Sequence, residues 1–119
     1  MENMIDLNEK KIVVTGASSG IGRQVCISLS RVGARIVLIG RNETELNKTL
    51  DMMDNTDKHK CYIYDLKNID GIKELVQNIV AYDNIKLDGL VHCAGMVNIV
   101  PIKLINYNVF DDIMRINFY

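Results

Sequence analysis

The sequence is poor in the residues that mark specialised protein classes. It has three cysteines, Cys26, Cys61 and Cys93, an odd and widely spaced set with no Cys-x-x-Cys pair. That pattern argues against a disulfide framework and against a zinc site, and it suits a reducing, cytoplasmic compartment. No metal ligand set is expected. The formal net charge is −1, with lysines and acids interspersed. This leaves no electrostatic footprint for nucleic acid or for an anionic membrane. No apolar run reaches the length of a bilayer span. Residues 1–11 are polar and lack the apolar core of a targeting segment. There is one proline, Pro101, and no repeat, low-complexity tract or linker. The expected unit is therefore one domain over residues 1–119.

Nearly half of the residues are hydrophobic, enough for a real core. Strand-like and helix-like segments alternate. Residues 11–15 form a short β-branched run, read as a buried strand. A helix follows over residues 21–32, with Ile21, Val25 and Leu29 on one face and Gly33 at its end. Residues 35–39 are the second strand. Asn42 then caps a helix, with Glu45 as its capping-box partner and Leu46, Leu50 and Met53 as its apolar stripe. Residues 55–58 are a polar loop and residues 61–64 the third strand. Asn68 caps the next helix, whose core face is Ile72, Leu75, Val76 and Ile79. Residues 87–92 form the fourth strand. A loop holding Pro101 leads to a last helix, capped by Asn106 and carrying Phe110, Ile113, Met114 and Asn117. The order βαβαβαβα predicts an α/β, Rossmann-like, doubly wound parallel sheet, present in part.

The densest chemical signal is TGASSGIG at residues 15–22, placed between a strand and a helix. A diphosphate needs backbone N–H donors and room for close approach. A strand that bends sharply into a helix N-terminus supplies both. Gly16, Gly20 and Gly22 fit the tight turn, the close approach and the helix–strand packing. Ser18 and Ser19 add hydroxyl donors. The spacing is neither G-x-G-x-x-G nor a Walker A loop. At the end of the second strand a carboxylate would favour NAD; here Gly40 offers none. The next residue, Arg41, carries a guanidinium suited to the 2′-phosphate of NADP. NADP is therefore favoured over NAD.

In this order the motifs resemble the short-chain dehydrogenases/reductases. TGASSGIG matches the family's TGxxxGxG loop, Ile21 included. Tyr64-Asp65-Leu66 matches the acidic residue after the third strand. Residues 87–95, LDGLVHCAG, resemble the strand ending in Asn-Asn-Ala-Gly, and Met114-Arg115-Ile116-Asn117 resembles the helix that bears a catalytic-site asparagine. The resemblance implies that Asp65 and the Leu66 backbone hold adenine. It also implies that Cys93, Ala94 and Gly95 lie beside the cofactor ribose, and that Asn117 positions a water in a proton relay. His92-Cys93 departs from the paired asparagines, and His92 is read as a bracing residue.

The implied reaction is hydride transfer between nicotinamide and a carbonyl or alcohol, a 3-oxoacyl thioester reductase being the expected type. In the family a tyrosine acts as general acid/base. A lysine four residues later lowers its pKa, and a serine polarises the substrate oxygen. All three fall after the asparagine. Tyr82 and Lys86 have the spacing but lie before the fourth strand, at the wrong edge of the sheet for a ligand site. The expectation is thus an N-terminal, truncated part of an oxidoreductase, inactive on its own. Its partners would be a small-molecule substrate and further copies of itself, through a bare edge on the fourth strand. The competing expectation is a free-standing nucleotide-binding or partner module without catalysis.

Overall fold

A computed structural model describes residues 6–93 and, for the backbone, 98–101. The elements follow in order: β1 (Lys11–Thr15), α1 (Gly20–Arg31), β2 (Arg35–Gly40), α2 (Glu43–Asp51), β3 (Lys60–Ile63), α3 (Ile72–Ala81), β4 (Leu87–His92) and β5 (Asn98–Pro101). Single 3₁₀ turns at Thr56–Lys58 and Ile69–Gly71 precede β3 and α3. The sheet order is β3-β2-β1-β4-β5. The first four strands are mutually parallel, and β5 runs antiparallel to β4. This is the expected Rossmann-like α/β architecture.

The β-branched central strands β1 and β2 are buried on both faces, as a parallel sheet requires. Alternate residues feed two cores. Val13, Val37, Ile39 and Leu90 pack under α3, against Ile72, Leu75, Val76 and Ile79. Val14, Ile36, Leu38 and Val91 pack on the opposite face, against Cys26 and Ile27 of α1 and Leu46 of α2. The period of two along each strand thus decides which helix each residue meets.

Three local expectations change, and a fourth, the shared face of α1, holds. Ile21, Val25 and Leu29 do share a face of α1, but the sheet is met by Gly22, Cys26, Ile27 and Ser30. Small residues at Gly22, Cys26 and Ser30 let the helix approach closely. Val25 and Leu29 pack half-buried against the edge of the core under α1, and the Ile21–Val25–Leu29 stripe lines an apolar groove of about 940 Å³ with Leu7, Ile12 and Val91, Ile21 being 63% exposed. Asn68 makes no side-chain cap; it opens the Ile69–Gly71 turn, and its carbonyl accepts the Tyr64 hydroxyl. Only half of the expected capping box forms. Asn42 Oδ1 accepts the Glu45 N–H at 3.0 Å, while the Glu45 carboxylate turns to Arg23 and Lys48. Finally, β4 is not a bare edge. Residues 98–101, read as loop, pair with it from Gly89–Pro101 to His92–Asn98. Pro101 lacks an N–H and is tolerated because β5 is the outermost strand described.

Candidate functional site

Where β1 ends, the chain bends into α1 through two glycines with positive φ, Gly16 at 65° and Gly20 at 57°. The bend is held to β2 by the Ala17 N–H, which donates to the Ile39 carbonyl at 3.1 Å. Gly22 sits so close beneath it that a Cβ there would overlap the Gly16 carbonyl. The bend forms one wall of a cleft of about 320 Å³ at the C-terminal ends of the strands. The other walls come from Gly40 and Arg41 after β2, from the segment 64–67 after β3, and from Cys93 after β4.

The cleft brings together seven of the residues singled out in the sequence: Gly16, Ser18, Ser19, Arg41, Asp65, Leu66 and Cys93. Gly20 and Ile21 instead line the apolar groove beside α1. Gly22 acts from below, through packing. Ala94, Gly95 and Asn117 lie outside the described residues, as do Asn106 and Phe110.

Arg41 is exposed and faces the cleft with Lys67. Gly40 is buried, and a Cβ there would stand 3.1 Å from both the Cβ and Oγ of Ser18. A side chain at that position would press on Ser18 and on Leu46 Cδ1, also 3.1 Å away, and both would have to give by a few tenths of an ångström. Asp65 is exposed, and its Oδ1 accepts the Lys67 N–H at 3.0 Å, which fixes the turn. The Leu66 side chain belongs to the core under α3, so the backbone is what it offers the cleft.

The floor is braced by a single hydroxyl. Thr15 Oγ1 lies 2.7 Å from His92 Nδ1 and accepts the Cys93 N–H at 3.2 Å. His92 is 1% exposed. Burial holds its imidazole below the ordinary histidine value, so it stays neutral. Burial also pushes the Cys93 thiol up. These are the properties of structural groups.

Sequence reasoning missed a second layer behind the bend. Thr49 Oγ1 donates to the Ala17 carbonyl at 2.8 Å. Arg23 Nε donates to Thr49 Oγ1 at 2.8 Å, and Arg23 Nη2 donates to the Ser18 carbonyl at 2.5 Å. The same guanidinium pairs with Glu45 Oε2 at 2.9 Å. Hydrogen bonds from Arg23 and then Lys48 hold the Glu45 carboxyl below the usual carboxylate range. No local signal announces this cluster, since its partners lie 5 to 32 residues apart.

Tyr82 and Lys86 are excluded as an acid/base pair by position and electrostatics. Tyr82 follows α3 and lies against Lys11, whose Nζ stands 4.7 Å from its ring centre. Lys11 begins β1, so Tyr82 is at the far end of the strand from the cleft, about 13 Å away by strand rise. Burial, then the charge of Asp83, pushes its phenol up to about 12, away from a useful proton donor. Among the described residues no cluster of His, Cys, Asp or Glu could hold a metal ion. No helix among them is long and apolar enough to cross a membrane.

Comparison with known proteins agrees with this geometry. A family model described as short chain dehydrogenase matches residues 10–119. The oxidoreductase YciK of Escherichia coli K12 is 34% identical over 116 residues, covering 93% of this chain and 46% of the relative. The L-xylulose reductase of Caenorhabditis elegans is 30% identical over 112 residues, covering 94% and 43%. Among solved structures, yciK from E. coli superposes with a TM-score of 0.70 at 31% identity, covering 98% of this chain and 50% of that one. A short chain dehydrogenase from E. coli CFT073 complexed with NADPH gives 0.63 at 37% identity, covering 73% and 38%. The chain belongs to the short-chain dehydrogenase family, a family of oxidoreductases. It spans about half the length of the curated relatives it matches.

Proposed function

We propose that this chain forms the cofactor-binding part of an NADP(H)-dependent short-chain reductase, which moves hydride between nicotinamide and a small carbonyl or alcohol substrate. One observation carries the reading: the glycine bend and Arg41 open onto the same cleft, beside a Gly40 that offers no carboxylate. The residues fit a dinucleotide. Among the described residues no protein acceptor takes the N–H of Ser18 or Ser19, so these donors are available to an anion. Arg41 would meet the 2′-phosphate, Asp65 and the Leu66 backbone the adenine, and Cys93 with Ala94 and Gly95 the ribose on the nicotinamide side. Bound NADPH supplies the hydride; the chain's own groups bind and orient it. The NADPH held by the E. coli CFT073 protein supports the same cofactor.

A 3-oxoacyl thioester is the first substrate candidate. The sugar in the name of the C. elegans relative is another. Association of like chains, a cytoplasmic location and the proton-relay role of Asn117 belong to the same proposal, supported by family membership.

Calorimetric titration tests the cofactor assignment. Wild-type protein is expected to bind NADP⁺ more tightly than NAD⁺. Arg41→Ala should weaken NADP⁺ by about 10- to 100-fold, the worth of hydrogen bonds to a charged group, with little effect on NAD⁺. Equal affinities in the wild type would refute the assignment. The chain over residues 1–119 is expected to reduce no carbonyl compound with NADPH, because neither Tyr82 nor Lys86 reaches the cleft. Absorbance at the nicotinamide band checks this against an Asn117→Ala control. Turnover that disappears in the control would overturn it.

A further inference from the structure

Trans peptide groups are planar, and their C=O and N–H bonds point in opposite directions. Holding a carbonyl therefore aims the N–H of the next residue. The cleft wall uses this twice in succession. The Ala17 carbonyl is taken by Thr49 Oγ1, which fixes the direction of the Ser18 N–H. The Ser18 carbonyl is taken by Arg23 Nη2, which fixes the direction of the Ser19 N–H. The two acceptances occur on one side, because Arg23 Nε and Thr49 Oγ1 are themselves bonded at 2.8 Å. Both N–H groups are therefore turned the other way.

Neither anchor is a loose surface group. Thr49 is fully buried, and the Arg23 side chain is 19% exposed. The chain of donors is continuous: the guanidinium donates to the Thr49 hydroxyl, whose proton faces the Ala17 carbonyl at 2.8 Å in preference to the Glu45 carbonyl of its own helix at 3.3 Å. Each bond polarises the next. Glu45 neutralises the guanidinium from α2, so the anchor adds little net charge near the cleft. Its effect is orientation.

We infer that Arg23 and Thr49 are positioning residues for an anion site in the cleft. They draw the Ala17 and Ser18 carbonyls back and present the Ser18 and Ser19 N–H groups, beside Arg41, to a phosphate of the bound nucleotide. This rests on the reading that the cleft holds a phosphorylated nucleotide. Successive N–H groups of this kind form anion-binding concavities. With the anchors gone, either peptide is free to flip and set a carbonyl oxygen against the phosphate. Arg23 and Thr49 touch no ligand; they act through the loop.

Two measurements test the inference. In calorimetry with NADP⁺, Arg23→Met and Thr49→Val are each expected to weaken binding by about tenfold, the worth of one or two well-placed hydrogen bonds. Thr49→Ser, which keeps the hydroxyl, should bind like the wild type. In ¹H–¹⁵N spectra of the wild type, inorganic pyrophosphate should shift the Ser18 and Ser19 amides; in Arg23→Met it should not. Wild-type affinity in Arg23→Met and Thr49→Val would overturn the inference, as would a Thr49→Ser variant as weak as Thr49→Val. If the wild type binds no NADP⁺, the cofactor reading fails alone, and the pyrophosphate arm still decides. Unmoved Ser18 and Ser19 amides in the wild type sink the positioning role regardless of folding in the variants.

Discussion

Gly22→Ala is expected to abolish nucleotide binding and to cost about 3 kcal/mol or more in stability, at the top of the range for overpacking. A methyl group at Gly22 would overlap the Gly16 carbonyl oxygen, stand 2.6 Å from the Gly16 carbonyl carbon and 3.2 Å from Ala17 Cα. All three are backbone atoms, so no flexible side chain can move aside. Either the bend lifts off α1 or the helix leaves the sheet, and both open the cleft wall. Gly20→Ala provides the contrast. Nothing lies within 4 Å of a Cβ there, and the strain is confined to its φ of +57°, about 1–2 kcal/mol. Urea denaturation and calorimetry with NADP⁺ check the pair. A Gly22→Ala protein with wild-type stability and affinity would show that the packing beneath the bend is dispensable.

The second large effect is expected at the opposite end of β1. Lys11 is fully buried. Its ammonium donates to Asp83 Oδ1 and to the Ile79 carbonyl, both at 2.7 Å, and to the Ile85 carbonyl at 3.3 Å. Asp83→Ala removes the countercharge and leaves the ammonium enclosed. The expected loss is about 3 kcal/mol. Adding Lys11→Met should recover much of it, because an apolar side chain needs no partner. Additive losses in the double variant would dispose of the ion pair as the cause.

The pH dependence has a definite sign. Burial pushes the Asp83 carboxyl up, but the bonds from Lys11 and the Ile85 N–H outweigh it, and the net displacement is downward. A depressed carboxylate stabilises the fold fully above its unfolded pKa of about 3.9. That contribution is lost as pH falls through the folded value. The stability gap between wild type and Asp83→Ala should therefore shrink below about pH 4.

What the sequence revealed and what it hid divide by range. The strands and the glycine bend were legible because their signals are local: β-branched runs, two glycines at positive φ, and a capping asparagine at 42 that bonds as expected. The cleft residues were legible because each lies just after a strand. The anchors behind them were not. Arg23 reads as one more charge on a helix, and its partners Glu45 and Thr49 lie on the next one. Lys11 falls within the run read as a buried strand, but nothing local names its countercharge, which is 72 residues away. The stripe Ile21–Val25–Leu29 does share a face, with Val25 and Leu29 half-buried against the core, but it is not the most buried face. Periodicity shows which residues share a face, but close approach to the sheet selects the small residues of the neighbouring one. Pro101 concealed β5, since a proline in so short a run argues against a strand unless an outer edge is available.

The sheet order also bears on how the chain is made. β1 lies between β2 and β4, yet the ribosome releases it first. Its β2 side can close early, but its other flank stays open until residues 87–92 emerge. Until then the nascent polypeptide carries an unpaired apolar ribbon through its middle, and the ammonium of Lys11 has no carboxylate to meet. Over that interval, before β4 arrives, the open flank is most exposed to pairing with another chain.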